Sequence, residues 1–192
     1  MPPSPTVVKK IVSSRELYIC DHFVDDAAAL RVGELLPRLD YQRTEKSRAD
    51  LPVSGAAAEI TEDIRRTEPF FDEMRRWGED LFQGEAFKLE RIYVNSAVRG
   101  DMYYAHRDCH QDLANVTVLY YGNLEWHADW GGETLFFSDR HDAELAVTPR
   151  PGRLVISRGA ILHRAGVPSK ICDRARFTVA CKLTAMPGGP IG

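Results

Sequence analysis

His106-Arg107-Asp108 places an imidazole and a carboxylate two residues apart. On an extended chain, residues i and i+2 point to the same face. Both side chains can therefore reach one point while Arg107 faces away. An ion gripped on one face needs a third donor. His163 lies 55 residues further on, in the apolar segment Ile161-Leu162-His163. Early and late strands of a two-sheet β fold can lie side by side, so that separation along the chain need not be a separation in space. Two imidazoles and one carboxylate suit Fe(II) and leave the opposite positions open for a cosubstrate and O2. An H-x-D pair is common by chance, and a single histidine is more often an ordinary hydrogen-bonded residue. The case therefore depends on the elements around these three.

Beyond Gly84 the chain reads as short β-rich segments: Leu89–Val94, Met102–His106, Val116–Tyr121, Glu133–Phe137, Leu145–Val147, Arg153–Ser157, Ile161–His163 and Arg176–Leu183. Gly, Pro, Asn and Asp punctuate them. Before Gly84 the pattern is mainly helical. Asp25 and Asp26 can cap a helix that Pro37 ends, near Leu36. Thr67-Glu68-Pro69 reads as a helix start with Thr67 as N-cap. Phe70, Met74, Trp77 and Leu81 then form one apolar stripe that packs a helix on a sheet. Leu17–Cys20 reads as a short strand. The expected fold is mainly β with flanking helices (α+β). Its core is a double-stranded β-helix, or jelly roll, with the N-terminal helices packed on it.

The 192 residues fit one domain, expected over 15–186, with a helical part at 15–86 and a jelly-roll core at 87–186. Flexible tails are expected at 1–14, where prolines cluster, and at 187–192. Residues 40–58 are polar and irregular, readable as a lid or as a plain surface loop. With 44% hydrophobic residues, 28% charged and a net charge of −3, the chain can build a core and carries no basic footprint for nucleic acid. No apolar run is long enough to span a bilayer. No secretion-type segment is seen at the N-terminus, so a cytoplasmic location is expected. Cys20, Cys109, Cys172 and Cys181 are scattered and read as free thiols.

Six blocks, taken together, carry a family resemblance. They are Gly100 to Asp108 (GDMYYAHRD), Val116 to Tyr121 (VTVLYY), Gly131 to Phe136 (GGETLF), Val147 to Val155 (VTPRPGRLV), His163 to Pro168 (HRAGVP) and Arg176 to Val179 (RFTV). In order and spacing the chain resembles the prolyl-4-hydroxylase-like branch of the Fe(II)/2-oxoglutarate dioxygenases, over roughly residues 89 to 184. The resemblance implies Fe(II) held by His106, Asp108 and His163, with 2-oxoglutarate and O2 as cosubstrates. It implies that Arg176 binds the distal carboxylate of 2-oxoglutarate, where a guanidinium fork can bond bidentately. Thr178 would be its hydroxyl partner, Tyr121 a second donor to the same carboxylate, and Leu119 an apolar wall. The gap from His163 to Arg176 is 13 residues, longer than this branch usually shows, and Arg174 sits at 11 with the same strand parity.

The activity so implied is hydroxylation of an unactivated C–H bond, with release of succinate and CO2. Asp108 favours hydroxylation or another oxidation over halogenation, because related halogenases lack the carboxylate. A small-molecule substrate, such as an amino acid or biosynthetic intermediate, is expected, with a peptidyl residue as the alternative. A non-catalytic, cupin-like binding protein is a third reading. It is disfavoured because a bare metal clip has no need of an arginine–tyrosine anchor. Strand parity sends Tyr104 inward and leaves its role open. Trp126, His127 and Trp130 could line a mouth or cap the core. Cys109 and His110 read as loop residues, and His22 and His141 as surface residues. Oligomeric state is not readable.

Overall fold

A computed structural model describes residues 4–187. In chain order the strands are β1 (Thr6–Val12), β2 (Arg15–Asp21), β3 (Gln42–Glu45), β4 (Gly55–Glu59), β5 (Phe87–Ala97), β6 (Val116–Tyr121), β7 (Thr134–Phe137), β8 (Ala143–Val147), β9 (Leu154–Arg158), β10 (His163–Ala165) and β11 (Arg176–Ala185). Three helices intervene: α1 (Asp26–Leu35), α2 (Glu62–Thr67) and α3 (Phe70–Asp80). The strands form an eight-stranded sheet in the order β1-β2-β9-β6-β11-β5-β4-β3 and a three-stranded sheet in the order β10-β7-β8. All their pairings are antiparallel. This is the expected jelly roll with outer helices.

The large sheet separates two environments by side-chain alternation. On β6, Val116, Val118 and Tyr120 point to the helices, as do Leu154 and Ile156 on β9 and Val179, Cys181 and Leu183 on β11. They pack against Phe70, Phe71 and Met74 of α3 and Val32 of α1. Burying each large apolar side chain contributes about 1.5–3 kcal/mol. The alternate residues face the small sheet: Thr117 and Leu119 on β6, Val155 and Ser157 on β9, and Thr178, Ala180 and Lys182 on β11 line a cavity. One face is greasy throughout, and the other mixes apolar with polar and charged groups.

Helix α1 starts where expected, with the Asp25 carboxylate accepting from the Ala28 N–H at 2.7 Å. Other boundaries differ. Residues 6–12, expected in a loose tail, form β1 and pair along their whole length with β2. Thr6-Val-Val and Ile11-Val12 supply β-branched residues that favour extended chain, and Ser13 and Ser14 turn the hairpin at positive φ. Of the expected tails, residues 1–3 and 188–192 lie outside the described residues. Residues 40–58 are not one long loop, since β3 and β4 add a hairpin to the end of the large sheet. Thr67 ends α2, its hydroxyl bonding back to the Ile64 carbonyl at 3.0 Å, and Thr61 is the residue that caps α2. Pro69 stands at the start of α3 without a side-chain cap. Residues 102–105 are not a strand, and His106 makes only an isolated bridge to His163.

Helix α3 approaches the sheet most closely at Gly78. A Cβ there would lie 2.4 Å from Val118 Cγ2 and 3.0 Å from Leu183 Cδ1. Helix propensity alone favours alanine over glycine by about 1 kcal/mol. Overpacking a fixed interface costs about 1–3 kcal/mol. Gly78→Ala is therefore expected to lower stability in urea unfolding, and a stabilised variant would show that α3 can lift from the sheet without loss.

Candidate functional site

His106, Asp108 and His163 converge. One ligand atom from each lies within 4.8 Å of the other two. His106 Nε2 stands 3.5 Å from Asp108 Oδ1, and His163 Nε2 stands 3.7 Å from Asp108 Oδ2. Backbone pairing sets this. His106 and His163 exchange both N–H···O bonds at 2.9 Å, and the Asp108 N–H donates to the Gly159 carbonyl at 2.8 Å. The 55-residue gap is closed by a bridge between one coil residue and the first residue of β10. Arg107 points away, its guanidinium on the Ala160 carbonyl and Asp139.

The histidine rings are oriented from behind. Each Nδ1 meets a backbone carbonyl, that of Tyr104 for His106 at 2.9 Å and that of Ile161 for His163 at 3.0 Å. A carbonyl can only accept, so each Nδ1 carries the proton and each Nε2 offers its lone pair inward. The Thr117 hydroxyl donates to Asp108 Oδ2 at 2.6 Å, and the Lys182 ammonium pairs with the same oxygen. Two imidazoles and a carboxylate held this way fit a divalent ion of the Fe(II) type.

A cavity of about 670 Å³, open mouth included, reaches from the two histidines to Arg176. Arg176 is buried, with one guanidinium N–H on Thr178 Oγ1 at 2.6 Å and another on Thr134 Oγ1 at 3.0 Å. Buried polar atoms are normally satisfied. Arg176 Nε, the Tyr103 hydroxyl and Asn95 Oδ1 are buried without a partner, and all three residues line this cavity. Two unpartnered donor groups at the closed end, one of them a cation, fit a ligand carboxylate. Leu119 supplies apolar wall.

Residues 92–181 match the family model described as the 2OG-Fe(II) oxygenase superfamily. This segment belongs to that superfamily. It contains the triad and Arg176, and its family uses Fe(II), 2-oxoglutarate and O2. The chain is a 2-oxoglutarate-dependent dioxygenase. Among solved structures, a prolyl hydroxylase from Trichoplax adhaerens, in complex with a hypoxia inducible factor oxygen degradation domain peptide fragment, is similar. It has 17% identity, covers 88% of this chain and 83% of its own, and has a TM-score of 0.67. A Pseudomonas putida prolyl-4-hydroxylase has 19% identity, with 88% and 92% covered and a TM-score of 0.63. The non-heme alpha ketoglutarate dependent epimerase SnoN from nogalamycin biosynthesis has 14% identity, with 91% and 82% covered and a TM-score of 0.63. At such identities the likeness is one of fold. No curated protein sequence matches the chain significantly.

Within this dioxygenase the two arginines of the last strand region have separate environments. Arg174 is exposed, pairs with Glu125 at 2.9 Å and lies over Trp130. Arg176 alone of the two enters the cavity. Tyr121 departs from its expected place. Its hydroxyl bonds to Thr134 Oγ1 at 2.8 Å and the Val147 carbonyl at 3.2 Å, and its ring lies behind the Arg176 guanidinium at 5.2 Å. The small sheet closes over this end of β6, so Tyr121 braces the arginine rather than facing the cavity. Tyr103, not Tyr104, turns inward, because the segment before His106 is not a strand and parity does not govern it. Trp126 and Trp130 pack edge to face at 5.5 Å, with the Trp126 indole N–H on the Gly131 carbonyl. His22, His110, His127 and His141 are exposed, and the four cysteines are free thiols.

Lys182, Asn95 and Thr134 were not singled out from the sequence. The signal for Lys182 was present: counting by twos from Arg176 through Thr178 and Ala180 reaches it on the same face of β11. Electrostatics at the triad are coupled. Burial pushes the Asp108 carboxyl up, but Lys182 and the histidines outweigh it and hold the group well below the ordinary range. Burial pulls Lys182 down, and the Asp108 charge more than restores it. Burial lowers the His163 imidazole to about 4, against the pull of Asp108.

An unfolded histidine takes up its proton near pH 6.5. The folded value of His163 is depressed, so its contribution to stability is present above that pH and is lost as pH falls toward 4. In the metal-free protein, urea unfolding between pH 7 and 4.5 is expected to show about 1–3 kcal/mol of stability lost through this group. His163→Asn is expected to flatten that part of the curve. Equal slopes for both proteins would mean that His163 protonates freely inside the fold.

Proposed function

We propose that this dioxygenase hydroxylates an unactivated C–H bond of a small molecule, an amino acid or a biosynthetic intermediate, while 2-oxoglutarate is converted to succinate and CO2. The observation that carries the proposal is the pairing of the His106–Asp108–His163 triad with the unpartnered buried donors Arg176 Nε and Tyr103 Oη in one cavity. In this reading the three residues hold Fe(II). Arg176, backed by Thr178 and Thr134, grips the distal carboxylate of 2-oxoglutarate, Tyr103 donates beside it, and Leu119 lines the chain between. Fe(II), when bound, supplies the activation of O2 that no side chain can perform.

The residues of the chain orient and exclude. Nδ1 protons anchored on backbone carbonyls fix the ring orientation and aim both Nε2 atoms inward. Thr117 and Lys182 hold Asp108 in one rotamer. Arg176 lies buried at one end of the cavity, bonded to Thr134 of the small sheet. Glu45, Lys46 and Ser47, at the end of β3, line the same cavity, and Ser47 Oγ accepts the Tyr104 N–H at 3.1 Å. The β3–β4 hairpin thus walls part of the cavity, a wall suited to a small substrate more than to an extended peptide. The similarity to a peptide-bound prolyl hydroxylase keeps a peptidyl residue as the second reading.

The test is succinate release from 2-oxoglutarate under Fe(II), with metabolite and peptide pools offered separately and products weighed for one added oxygen atom. His106→Ala, Asp108→Ala and His163→Ala are each expected to abolish turnover. Arg176→Ala removes a charged hydrogen-bonding group worth about 3 kcal/mol, so the KM for 2-oxoglutarate should rise on the order of 100-fold. Tyr103→Phe should raise it about 10-fold. Arg174→Ala should change neither. Full turnover in Asp108→Ala, or an Arg174 effect in place of an Arg176 effect, would overturn the assignment.

A further inference from the structure

His106 and His163 line the cavity that reaches Arg176, so the metal positions opposite the three ligands open into it. The groups assigned to 2-oxoglutarate stand on β11 itself, on β6 with Leu119, and on the small sheet with Thr134. β5 flanks β11 on the side away from β6 and brings Asn95 into the same cavity. Glu45 and Lys46 join it from the end of β3. These three are polar or charged, and binding of the metal and cosubstrate gives none of them a task.

The Glu45 side chain is 17% exposed. One of its oxygens accepts from Arg91 Nη2 at 3.3 Å, while Glu59 holds the same guanidinium more closely, from Nε at 2.8 Å. The other Glu45 oxygen has no hydrogen-bond partner among the described residues. Its charge is felt inside the cavity. Burial lowers the Lys182 ammonium and raises the Tyr93 and Tyr103 phenols, and the Glu45 charge adds an upward pull to all three. Asn95 Oδ1 is buried without a partner, on a residue set between Thr178 and Ala57 of the neighbouring strands. The oxygens of 2-oxoglutarate only accept, so this acceptor needs a donor from another molecule. Lys46 is exposed and has no ion pair among the described residues. In the loaded site the enclosed charges sum to zero: Asp108 and Glu45 against Lys182 and Arg176, and a divalent metal against doubly charged 2-oxoglutarate. Arg91 and Glu59 cancel at the more exposed edge. A molecule with one positive and one negative group keeps that sum and supplies the partner that Glu45 and Lys46 each lack.

We propose that the primary substrate is a free α-amino acid, its ammonium bound by Glu45 with Asn95 Oδ1 as second acceptor, and its carboxylate facing Lys46. The inference rests on the function proposed above and names the substrate class. An internal residue of a peptide has no ammonium to offer, so the same subsite rejects it. Glu45 and Lys46 are then specificity-determining residues, carried by the hairpin that walls the cavity.

The test uses the whole chain loaded with Zn(II), which prevents turnover, and with saturating 2-oxoglutarate. The common L-amino acids are screened by ligand-observed NMR, and those that bind are titrated beside their N-acetyl derivatives and their primary amides. A free amino acid is expected to bind about 10-fold tighter than its N-acetyl form, as a charged hydrogen bond in a largely buried site implies. Glu45→Gln, which keeps the shape of the side chain, should erase that difference. Lys46→Met, at an exposed position, should instead erase the preference for the free acid over its amide. Wild-type protein that binds Zn(II) and 2-oxoglutarate but no amino acid, or the N-acetyl forms equally well, overturns the subsite and leaves the proposed function standing. An ammonium preference that survives in Glu45→Gln overturns it too. Failure of the wild type to bind Zn(II) and 2-oxoglutarate at all would sink the parent reading, and the subsite with it.

Discussion

A carboxylate taken out of water must be given partners, and the centre of this molecule is arranged around that requirement at Asp108. Its side chain meets the Lys182 ammonium, the Thr117 hydroxyl and two imidazoles. Each partner comes from a different part of the fold: β11, β6, the bridge segment at His106 and β10. Holding one buried charge therefore ties both sheets together. Removing Lys182 or Thr117 would leave a charge only partly compensated, while removing Asp108 would leave a buried ammonium without its counter-ion. The cluster is polar, enclosed and interdependent.

The large sheet makes such a cluster compatible with a stable fold. Its helix-facing side is continuously apolar, with Tyr120, Ile156 and Val179 packed against Phe70 and Met74. That face can supply the burial that drives folding. The opposite face is free to carry Thr117, Ser157, Arg176, Thr178 and Lys182. The small sheet covers one end of that face, where Phe136, Val147 and Ile161 form a second apolar cluster with Tyr121. Arg176 sits at the boundary, with an aromatic ring behind it and two threonine hydroxyls beside it. Chemistry and stability thus occupy opposite faces of the same strands, one residue out of phase.

The triad and Arg176 were legible because their signals are local or carried by several blocks in order: H-x-D, a late histidine, and an arginine two residues before a threonine. Strand existence was legible wherever β-branched and aromatic residues ran together, as in Val116–Tyr121 and Arg176–Leu183. Three places were not. Residues 6–12 looked loose because neighbouring prolines dominate the composition, whereas pairing with β2 decides their state. Residues 42–45 and 55–59 have weak strand propensity, and their hairpin exists because β5 offers an edge. Thr67 had the right neighbours for an N-cap, yet the preceding turn claimed its hydroxyl first.

By itself the sequence determined which groups are available: two imidazoles, a carboxylate and a guanidinium, with Arg176, Thr178 and Lys182 on one face of a strand by alternation. Those are consequences of side-chain type and of the two-residue period, and neither depends on distant contacts. Only the tertiary structure decided which tyrosine faces the cavity, which arginine is buried, and that Lys182 meets Asp108. These depend on strand order and on how one sheet closes over the other, interactions between residues dozens of positions apart that no local pattern encodes.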